Sequence, residues 1–470
     1  MKSHNEGKYY YRFVCSVILC AVATAMFYYV WVTFVKVNNQ TNALMGYGNL
    51  GMATIIYILL YCVCAHGFRG FRIGVERKAN IIASQVIALL ITDIIEVLVS
   101  MAITGQFRFV LKFTFRYFIL FLVQSFVIAL LVIPMVNLYR KIFKPIRVVE
   151  IFGDQKNDVA KKIDAITYKY RVSAHLRYDD ARIQEAILEN EAALINDIPA
   201  EVKNSILKFC YDHDKRVYFV PKISDIIIKA SDDLNLIDTP MYLCRNNGLS
   251  SIERFAKRFF DFTLSFLALI ILSPVLLITA IAIKLGDGGP VFFRQERVTI
   301  GNKRFMILKF RSMIVDAEKD GRSHPAGEKD DRITKVGRFI RATRIDELPQ
   351  LINILKGDMS IVGPRPERVE HVAKYTADIP EFSFRSKVKG GLTGYAQVYG
   401  KYNTTALDKL KLDLVYIMNY SILLDFQIIM ETIKVLFQKE STEGFSKERA
   451  AEMHDSEISC DGVGEVRGNE

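Results

Sequence analysis

The chain has few cysteines for its size. It holds seven among 470 residues, and four of them lie inside long apolar segments. The other three, Cys210, Cys244 and Cys460, are scattered without C-x-x-C spacing. This pattern excludes a disulfide framework and a cysteine-based zinc site. It is typical of reduced, mostly structural thiols in a cytoplasmic environment.

A dinucleotide-binding fingerprint is also missing. Residues 146–245 alternate short apolar strands with helical stretches, which predicts a doubly wound, Rossmann-like α/β domain. Its first turn contains only Gly153-Asp154 instead of G-x-G-x-x-G. Nucleotide binding and a structural or regulatory role therefore both stay open for this domain. The five predicted strand segments are IRVVEIFG, RVSAHLRY, AALINDIP, KRVYFVP and PMYLCR.

Apolar residues are abundant, at 51% of the chain. Four apolar segments lie at residues 13–35, 50–66, 81–103 and 115–137, and each is near the about 20 residues that span a bilayer. We therefore predict a multidomain membrane protein whose residues 1–140 form a four-helix transmembrane bundle.

Cations flank these segments unevenly. Lysines and arginines precede the first segment, separate the second from the third, and follow the fourth. The positive-inside rule then places both ends of the bundle in the cytoplasm. Ala21-Val22-Ala23 resembles a signal-peptide cleavage site, but the apolar run continues past it to Phe34.

A fifth apolar run covers residues 259–283 and contains one charge, Asp261. Cations lie on both sides of it, so the positive-inside rule favours neither direction of crossing. Ser273-Pro274 lies in its middle, and proline interrupts helical hydrogen bonding. We expect a re-entrant helix, residues 254–284, broken at Ser273-Pro274, with the Ser273 hydroxyl bonding a freed carbonyl. A kinked spanning helix is the alternative.

Two adjacent carboxylates, Asp346 and Glu347, lie among cations just before a helix-periodic apolar run. Pro349 suits the first turn of that helix. One interpretation makes Asp346 an N-cap and Glu347 a first-turn acid. The other makes the pair a phosphate-directed site, since basic side chains surround it in sequence.

Residues 254–437 resemble the bacterial sugar transferases that are monotopic polyprenyl-phosphate sugar-1-phosphate transferases. The resemblance rests on the Ser-Pro helix followed in order by KFRSM, DELPQLINILKGDMSIVGPRPE, GLTGYAQV and KLDLVYI. The whole chain is similar to larger members that begin the assembly of capsule, exopolysaccharide or O-antigen repeat units. The resemblance implies a mainly helical α+β catalytic domain over residues 251–437.

The resemblance implies transfer of a sugar-1-phosphate from a UDP-sugar to polyprenyl phosphate, with release of UMP. Asp346 matches the nucleophile that forms an aspartyl-phosphosugar, and Glu347 matches its partner. The resemblance implies that Glu347 holds the Mg²⁺–diphosphate complex or tunes Asp346, and both carboxylates are candidate Mg²⁺ ligands. Lys309, Arg341 and Arg365 match phosphate-facing positions, and we add Arg311 and Arg344 as weaker candidates.

The implied partners are a UDP-sugar, polyprenyl phosphate and membrane lipid, without nucleic acid. The site is expected on the cytoplasmic face of a bacterial inner membrane, in a multi-pass protein, and a homodimer is a further hypothesis. Residues 408–419 fit either a membrane surface or a packed core. Lys401 stands where many relatives have arginine, and the polar tail, residues 441–470, is expected to be disordered.

Two other functions stay open at this point. The chain could be a scaffold or regulatory component of a polysaccharide assembly complex with an inactive transferase region. It could also be a direct glycosyltransferase, which would attack the anomeric carbon and release UDP instead of UMP.

Overall fold

The computed structural model of the chain describes residues 2–35, 47–105, 110–153, 159–236, 238–244, 248–315, 317, 330–400 and 404–436. The chain forms two compact units, Met1–Lys222 and Ile223–Glu470. The predictions for Lys401 and for the tail 441–470 lie outside the described residues.

The first unit begins with four long helices at the four predicted apolar segments. Each is long and apolar enough to cross a membrane. Gln124 donates from Nε2 to the Tyr57 hydroxyl at 2.8 Å and to the Ala23 carbonyl at 2.9 Å. These bonds join three helices, because a buried amide surrounded by apolar side chains needs partners within the protein. The helices are α1 (Lys2–Val30, followed by a π-helical turn Trp31–Val35), α2 (Tyr47–Gly67), α3 (Lys78–Thr104) and α4 (Val110–Ile142).

A four-stranded parallel sheet follows, with the strand order β2-β1-β3-β4. Parallel neighbours need crossover connections, and helices supply them here. Val149 in the first strand packs against the helices of one face, whereas Val148 packs with Val159 and Ile163 on the other. The elements are β1 (Ile146–Phe152), α5 (Val159–Asp164), β2 (Tyr170–Arg177), α6 (Ile183–Glu189), β3 (Ala192–Asn196), α7 (Ala200–Asp212) and β4 (Arg216–Phe219).

The fifth predicted strand, PMYLCR, does not extend this sheet. In the second unit, β6 (Thr239–Leu243) pairs antiparallel with β5 (Asp232–Leu236). Only two residues separate these strands, and a connection this short permits a hairpin but not a parallel neighbour. The prediction that PMYLCR belongs to the parallel sheet is therefore wrong.

The second unit is mainly helical with short two-stranded sheets. This agrees with the mainly helical α+β expectation for the C-terminal region. Besides β5 and β6 its elements are α8 (Ile223–Lys229), α9 (Ser251–Asp287), β7 (Phe292–Val298), β8 (Arg304–Phe310), α10 (Lys335–Ala342), α11 (Gln350–Lys356), β9 (Ser360–Val362), α12 (Val369–Asp378), β10 (Gly391–Thr393), α13 (Tyr395–Tyr399), α14 (Ala406–Met418) and α15 (Ile422–Leu436).

Helix α9 is the fifth helix that is long and apolar enough to cross a membrane. It continues through Ser273 and Pro274 as one helix, so the predicted break in helical structure is wrong. Pro274 has no N–H for the Ile270 carbonyl, and the Ser273 hydroxyl donates to that carbonyl at 2.8 Å. The expected role of Ser273 is thus confirmed. Its bond replaces the one that proline removes, which lets the helix continue.

The buried side of α9 organises the second unit. Ala268, Leu269 and Leu272 pack with residues of α11 and β8. Further along, Leu276, Ala280 and Ile283 pack with Phe310, Ile340 and Ile345. These contacts fix β8, α10 and α11 on one helix. They thereby position the segment between α10 and α11 that carries the two carboxylates.

Helix α14, Ala406–Met418, contains all of the amphipathic stretch 408–419 except Asn419, which is its C-cap. Leu410 and Leu414 are buried with Phe382 and Ile226 in one hydrophobic cluster. The apolar face of this helix is therefore used within the unit. Core packing, rather than contact with a membrane surface, explains its amphipathic pattern.

Candidate active site

Asp346 and Glu347 lie in a single turn of 3₁₀-helix, Ile345–Glu347, directly before α11. The backbone N–H groups of Glu347 and Leu348 donate to the carbonyls of Arg344 and Ile345. Asp346 is inside this turn and makes no side-chain cap, so its interpretation as an N-cap is wrong. The backbone bonds of the turn already occupy N–H donors that a cap would have accepted from.

The turn begins at a strained residue. Arg344 has φ 58°, in the left-handed region that costs a side chain with a Cβ about 1–2 kcal/mol. Such strain persists only where the surrounding structure imposes it, and it is common at functional sites. Here it reverses the chain after α10 and sets the direction of the two carboxylates that follow.

Glu347 is the centre of a cation cluster. Its Oε1 lies 2.9 Å from Arg365 Nη2, 3.4 Å from Lys309 Nζ and 3.8 Å from Arg344 Nη1. Burial acts to raise the pKa of Glu347, but the charges of Arg365 and Lys309 outweigh it and hold the pKa well below its usual range. Glu347 is therefore a permanent anion that fixes three cations around one oxygen.

Asp346 differs sharply from its neighbour. Its Oδ1 is buried and has no hydrogen-bond partner among the described residues. Burial, and after it the negative charge of Glu347, raises the pKa of Asp346. Lys309, Arg344 and Arg341 act in the opposite direction. An unpartnered, destabilised carboxylate beside a cation cluster is more basic than an ordinary aspartate and is available to an incoming electrophile.

Lys309 and Arg365 reach Glu347 from distant parts of the chain. Lys309 is on β8, and burial lowers its pKa while Glu347 acts against that change. Arg365 lies between Pro364 and Pro366, which restrict its backbone. The structure therefore brings these two predicted phosphate ligands together with the carboxylate pair.

The buried pair Arg385–Asp413 holds the backbone of Arg365 in place. Arg385 donates from Nη2 to the Arg365 carbonyl at 3.0 Å and from Nε to Asp413 Oδ2 at 2.6 Å. Arg297 also donates to the Pro366 carbonyl at 3.1 Å. Sequence reasoning missed these positioning residues. The only available signal was that Asp413, in KLDLVYI, is an acid on the apolar side of an amphipathic helix.

The other two predicted cations are placed differently. Arg341, on α10, acts on Asp346 through its charge. Arg311 is buried and pairs with Asp287 at the end of α9. Arg311 thus contacts neither carboxylate, because the chain leaves β8 directly after Lys309-Phe310 and carries Arg311 toward α9.

The glycines of the GLTG motif serve a close backbone approach. A Cβ on Gly391 would lie 2.1 Å from the Gly363 backbone nitrogen, and one on Gly394 would lie 2.1 Å from the Gly363 carbonyl oxygen. Neither glycine has a positive φ. Close packing of this loop against Gly363-Pro364, rather than a special turn conformation, therefore explains both, and it holds the loop that carries Arg365.

No cluster of three or more histidine, cysteine, aspartate or glutamate side chains suited to a metal occurs in the part of the chain that the structure describes. Mg²⁺ in phosphate-handling sites is commonly held by one or two carboxylates together with substrate phosphates and water. The orphaned Asp346 Oδ1 beside Glu347 fits that smaller donor set.

Comparison with known proteins gives a family match for this region and several similar proteins. The family model described as bacterial sugar transferase matches residues 252–439. A UDP-N-acetylgalactosamine-undecaprenyl-phosphate N-acetylgalactosaminephosphotransferase of Aeromonas hydrophila is 44% identical over 190 residues, covering 40% of this chain and 45% of that protein. A UDP-glucose:undecaprenyl-phosphate glucose-1-phosphate transferase of Escherichia coli is 44% identical over 222 residues, covering 46% and 48%.

A third relative is covered more fully. A UDP-glucose:undecaprenyl-phosphate glucose-1-phosphate transferase of Caulobacter vibrioides is 41% identical over 191 residues, which are 39% of this chain and 71% of that protein. For the first two relatives, the chain spans about half of their length. Each of these three matches is at least as long as the region 252–439 that the family model matches.

Proposed function

Because this chain belongs to the bacterial sugar transferase family, we propose that it transfers a sugar-1-phosphate from a UDP-sugar to undecaprenyl phosphate and releases UMP. The relatives named for transfer from UDP-glucose and UDP-N-acetylgalactosamine support this substrate class. The reaction would be the first membrane step in building a polysaccharide repeat unit such as that of a capsule or exopolysaccharide.

One observation carries the proposal at the level of chemistry. Asp346 Oδ1 is buried and has no hydrogen-bond partner among the described residues, and it lies next to a glutamate that pairs with Arg365, Lys309 and Arg344. A carboxylate attacking a phosphate must overcome repulsion between anions. The cations around Glu347 reduce that repulsion and already lie in place before substrate binds.

We assign the nucleophile to Asp346. In the first half-reaction its carboxylate oxygen forms a bond to the phosphorus that carries the sugar, and the bond from that phosphorus to the bridging oxygen breaks, so that UMP leaves with the oxygen. In the second, a phosphate oxygen of undecaprenyl phosphate bonds to the same phosphorus and the bond to Asp346 breaks. The products are UMP and an undecaprenyl-diphosphate sugar, and the carboxylate is regenerated.

The cations have different roles in the proposed reaction. Arg365 offers a planar guanidinium that matches phosphate oxygens in a bidentate way, while Lys309 acts as a point charge. Arg344 and Arg341 add positive charge at the start of the turn. Glu347 holds these groups in position, and its low pKa keeps it anionic as phosphates enter and leave.

Mg²⁺ is part of the proposal. Asp346 and Glu347 would hold it together with the diphosphate of the UDP-sugar. When bound, the ion would neutralise phosphate charge and favour departure of UMP. The buried, unpartnered oxygen of Asp346 supports this assignment.

The five apolar helices and the undecaprenyl-phosphate relatives support a multi-pass bacterial membrane protein. We propose a four-helix transmembrane bundle, a Rossmann-like domain and a re-entrant α9 that bends at Pro274, with the site on the cytoplasmic face. Prolines are a common cause of helix bends. A homodimer formed through the bundle is proposed with it, and mass measurement of the protein in nanodiscs tests it.

Nucleotide analysis tests the reaction. The full chain in nanodiscs containing undecaprenyl phosphate is mixed with Mg²⁺ and a panel of UDP-sugars, and the released nucleotide is identified. We expect UMP from at least one UDP-sugar, dependent on undecaprenyl phosphate for continued turnover. Release of UDP instead would indicate direct glycosyl transfer. No nucleotide from any sugar of the panel would favour the scaffold function.

A further inference from the structure

The second unit contains a cavity of about 650 Å³ at the first turns of α9. This volume lies within the range of about 300–1,000 Å³ that small-molecule sites occupy. Leu249, Val388 and Ile300 contribute apolar walls, and Ser250 and Ser251 contribute hydroxyl groups. The size suits an organic head group better than a bare ion.

Positive charge dominates the lining. Arg254, Lys257, Arg258, Lys387 and Lys389 all line the cavity, together with a single carboxylate, Asp261.

Lys257 and Asp261 have close polar partners of their own. Lys257 pairs with Asp425 at 2.6 Å, and Asp261 Oδ1 accepts from the Ile361 N–H at 2.9 Å. Within the lining, Asp261 is the carboxylate that accompanies Arg254, Arg258 and Lys389. Asp358 acts on Lys389 from outside the lining.

The charges of the cavity repel one another. Burial lowers the pKa of Lys389, and the positive charge of Arg258 lowers it further. Arg258 is held in place because its two Nη groups donate to the carbonyls of Ile354 and Leu355 at 2.6 and 2.7 Å, which fixes the charge without neutralising it. An anion bound among these cations would relieve the repulsion.

An apolar surface starts beside the cavity. Ile252 and Phe255, on the first turns of α9, are 82% and 75% exposed, and Phe259 and Phe262 continue the exposed apolar side of the helix. A ligand with an anionic head and apolar chains matches this arrangement: the head would lie among the cations and the chains along α9.

The cavity is distinct from the proposed transfer site. Arg258 binds carbonyls at the C-terminal end of α11, whereas Asp346 and Glu347 precede its N-terminal end. The seven residues of α11 separate these ends by about 10 Å. A phosphate in the cavity is therefore out of bonding reach of Asp346, so a lipid bound there would not react.

We propose that this cavity binds the phosphate head group of an anionic phospholipid, with its acyl chains along the exposed side of α9. Anionic lipids are recognised at membrane surfaces by such clusters of lysine and arginine. The bound lipid would hold the first turns of α9 at the interface. This inference does not depend on the proposed transfer reaction.

Native mass spectrometry of the full chain in detergent tests the proposal. The protein is titrated with phosphatidylglycerol, with phosphatidylcholine as the neutral comparison. We expect one phosphatidylglycerol to bind in preference to phosphatidylcholine, and Arg254→Gln or Lys389→Gln to weaken it about tenfold. Lys374→Gln, an exposed lysine on α12 outside the cavity, is the matched control and should bind as wild type does.

Several results would contradict the proposal. Equal phosphatidylglycerol binding by the cavity variants and wild type would overturn the proposal. So would full displacement of the lipid by inorganic phosphate alone, or by equimolar undecaprenyl phosphate, because the site would then serve free phosphate or the acceptor. Arg254 is exposed and its guanidinium donates to the exposed Ser251 hydroxyl at 3.2 Å, so its variant keeps the test valid if Lys389→Gln does not fold.

Discussion

The Asp346-Glu347 turn and the cavity at the start of α9 both gather cations, but they do so in opposite ways. In the turn, one partly buried carboxylate, Glu347, is within 4 Å of three cations. In the cavity, the lining carboxylate Asp261 is engaged by a backbone N–H. A carboxylate built into the site positions cations before any ligand arrives, which suits catalysis. In the cavity the lining cations outnumber the lining carboxylates, and such an excess attracts an anion from outside, which suits binding.

The largest expected effect comes from removing the carboxylate of Asp346. Asp346→Asn should lower the rate of UMP release by about 10⁴-fold, because an amide is a poor nucleophile and other site groups leave some residual rate. A UDP-sugar labelled at the phosphate next to the sugar should leave label on the wild-type protein but not on the variant. Asp378→Asn, an exposed acid on α12, is the control. Labelling of the variant at the wild-type rate would remove Asp346 from its role.

The next variant removes the carboxylate around which the cations of the turn are arranged. Glu347→Gln leaves Arg365 and Lys309 without their carboxylate, and we expect UMP release to fall by about 100-fold. Loss of the neighbouring negative charge should also lower the pKa of Asp346, since that charge contributes to raising it.

A pH profile measures this second effect. Asp346 acts as the anion, so wild-type activity is lost as pH falls through its raised pKa. In Glu347→Gln this acid limb of kcat/KM should move to lower pH, by about one unit. Movement to higher pH, or none, would contradict the electrostatic coupling between the two carboxyl groups.

The smallest expected effect comes from a substitution that keeps every charge in the turn. Arg365→Lys preserves the cation but loses the planar fork, so KM for the UDP-sugar should rise by about tenfold. Steady-state kinetics of UMP release measure this change. Arg338→Lys, at an exposed position on α10, should be neutral. An Arg365→Lys variant with unchanged KM would mean that Arg365 acts as a point charge.

The sequence predicted some parts of this site and missed others for physical reasons. Asp346, Glu347, Lys309 and Arg365 are close together, as their motifs indicate. Arg311, two residues after Lys309, pairs with Asp287 instead, because β8 ends at Phe310 and the i, i+2 alternation of a strand no longer applies to Arg311. The Arg385–Asp413 pair was missed because nothing local marks which acid a buried arginine meets.

By itself the sequence determined the five long apolar helices, since hydrophobic length does not depend on distant partners. It also determined the cation-rich composition around Asp346 and the restriction of Arg365 by its two prolines. Only the tertiary structure decided that Glu347 pairs with the cations while Asp346 Oδ1 has no hydrogen-bond partner in the part of the chain that the structure describes. Lys309 is 38 residues before Glu347 and Arg365 is 18 after it. Which of two adjacent carboxylates they meet depends on how α9, β8 and α11 pack, and that packing is a long-range property of the folded chain.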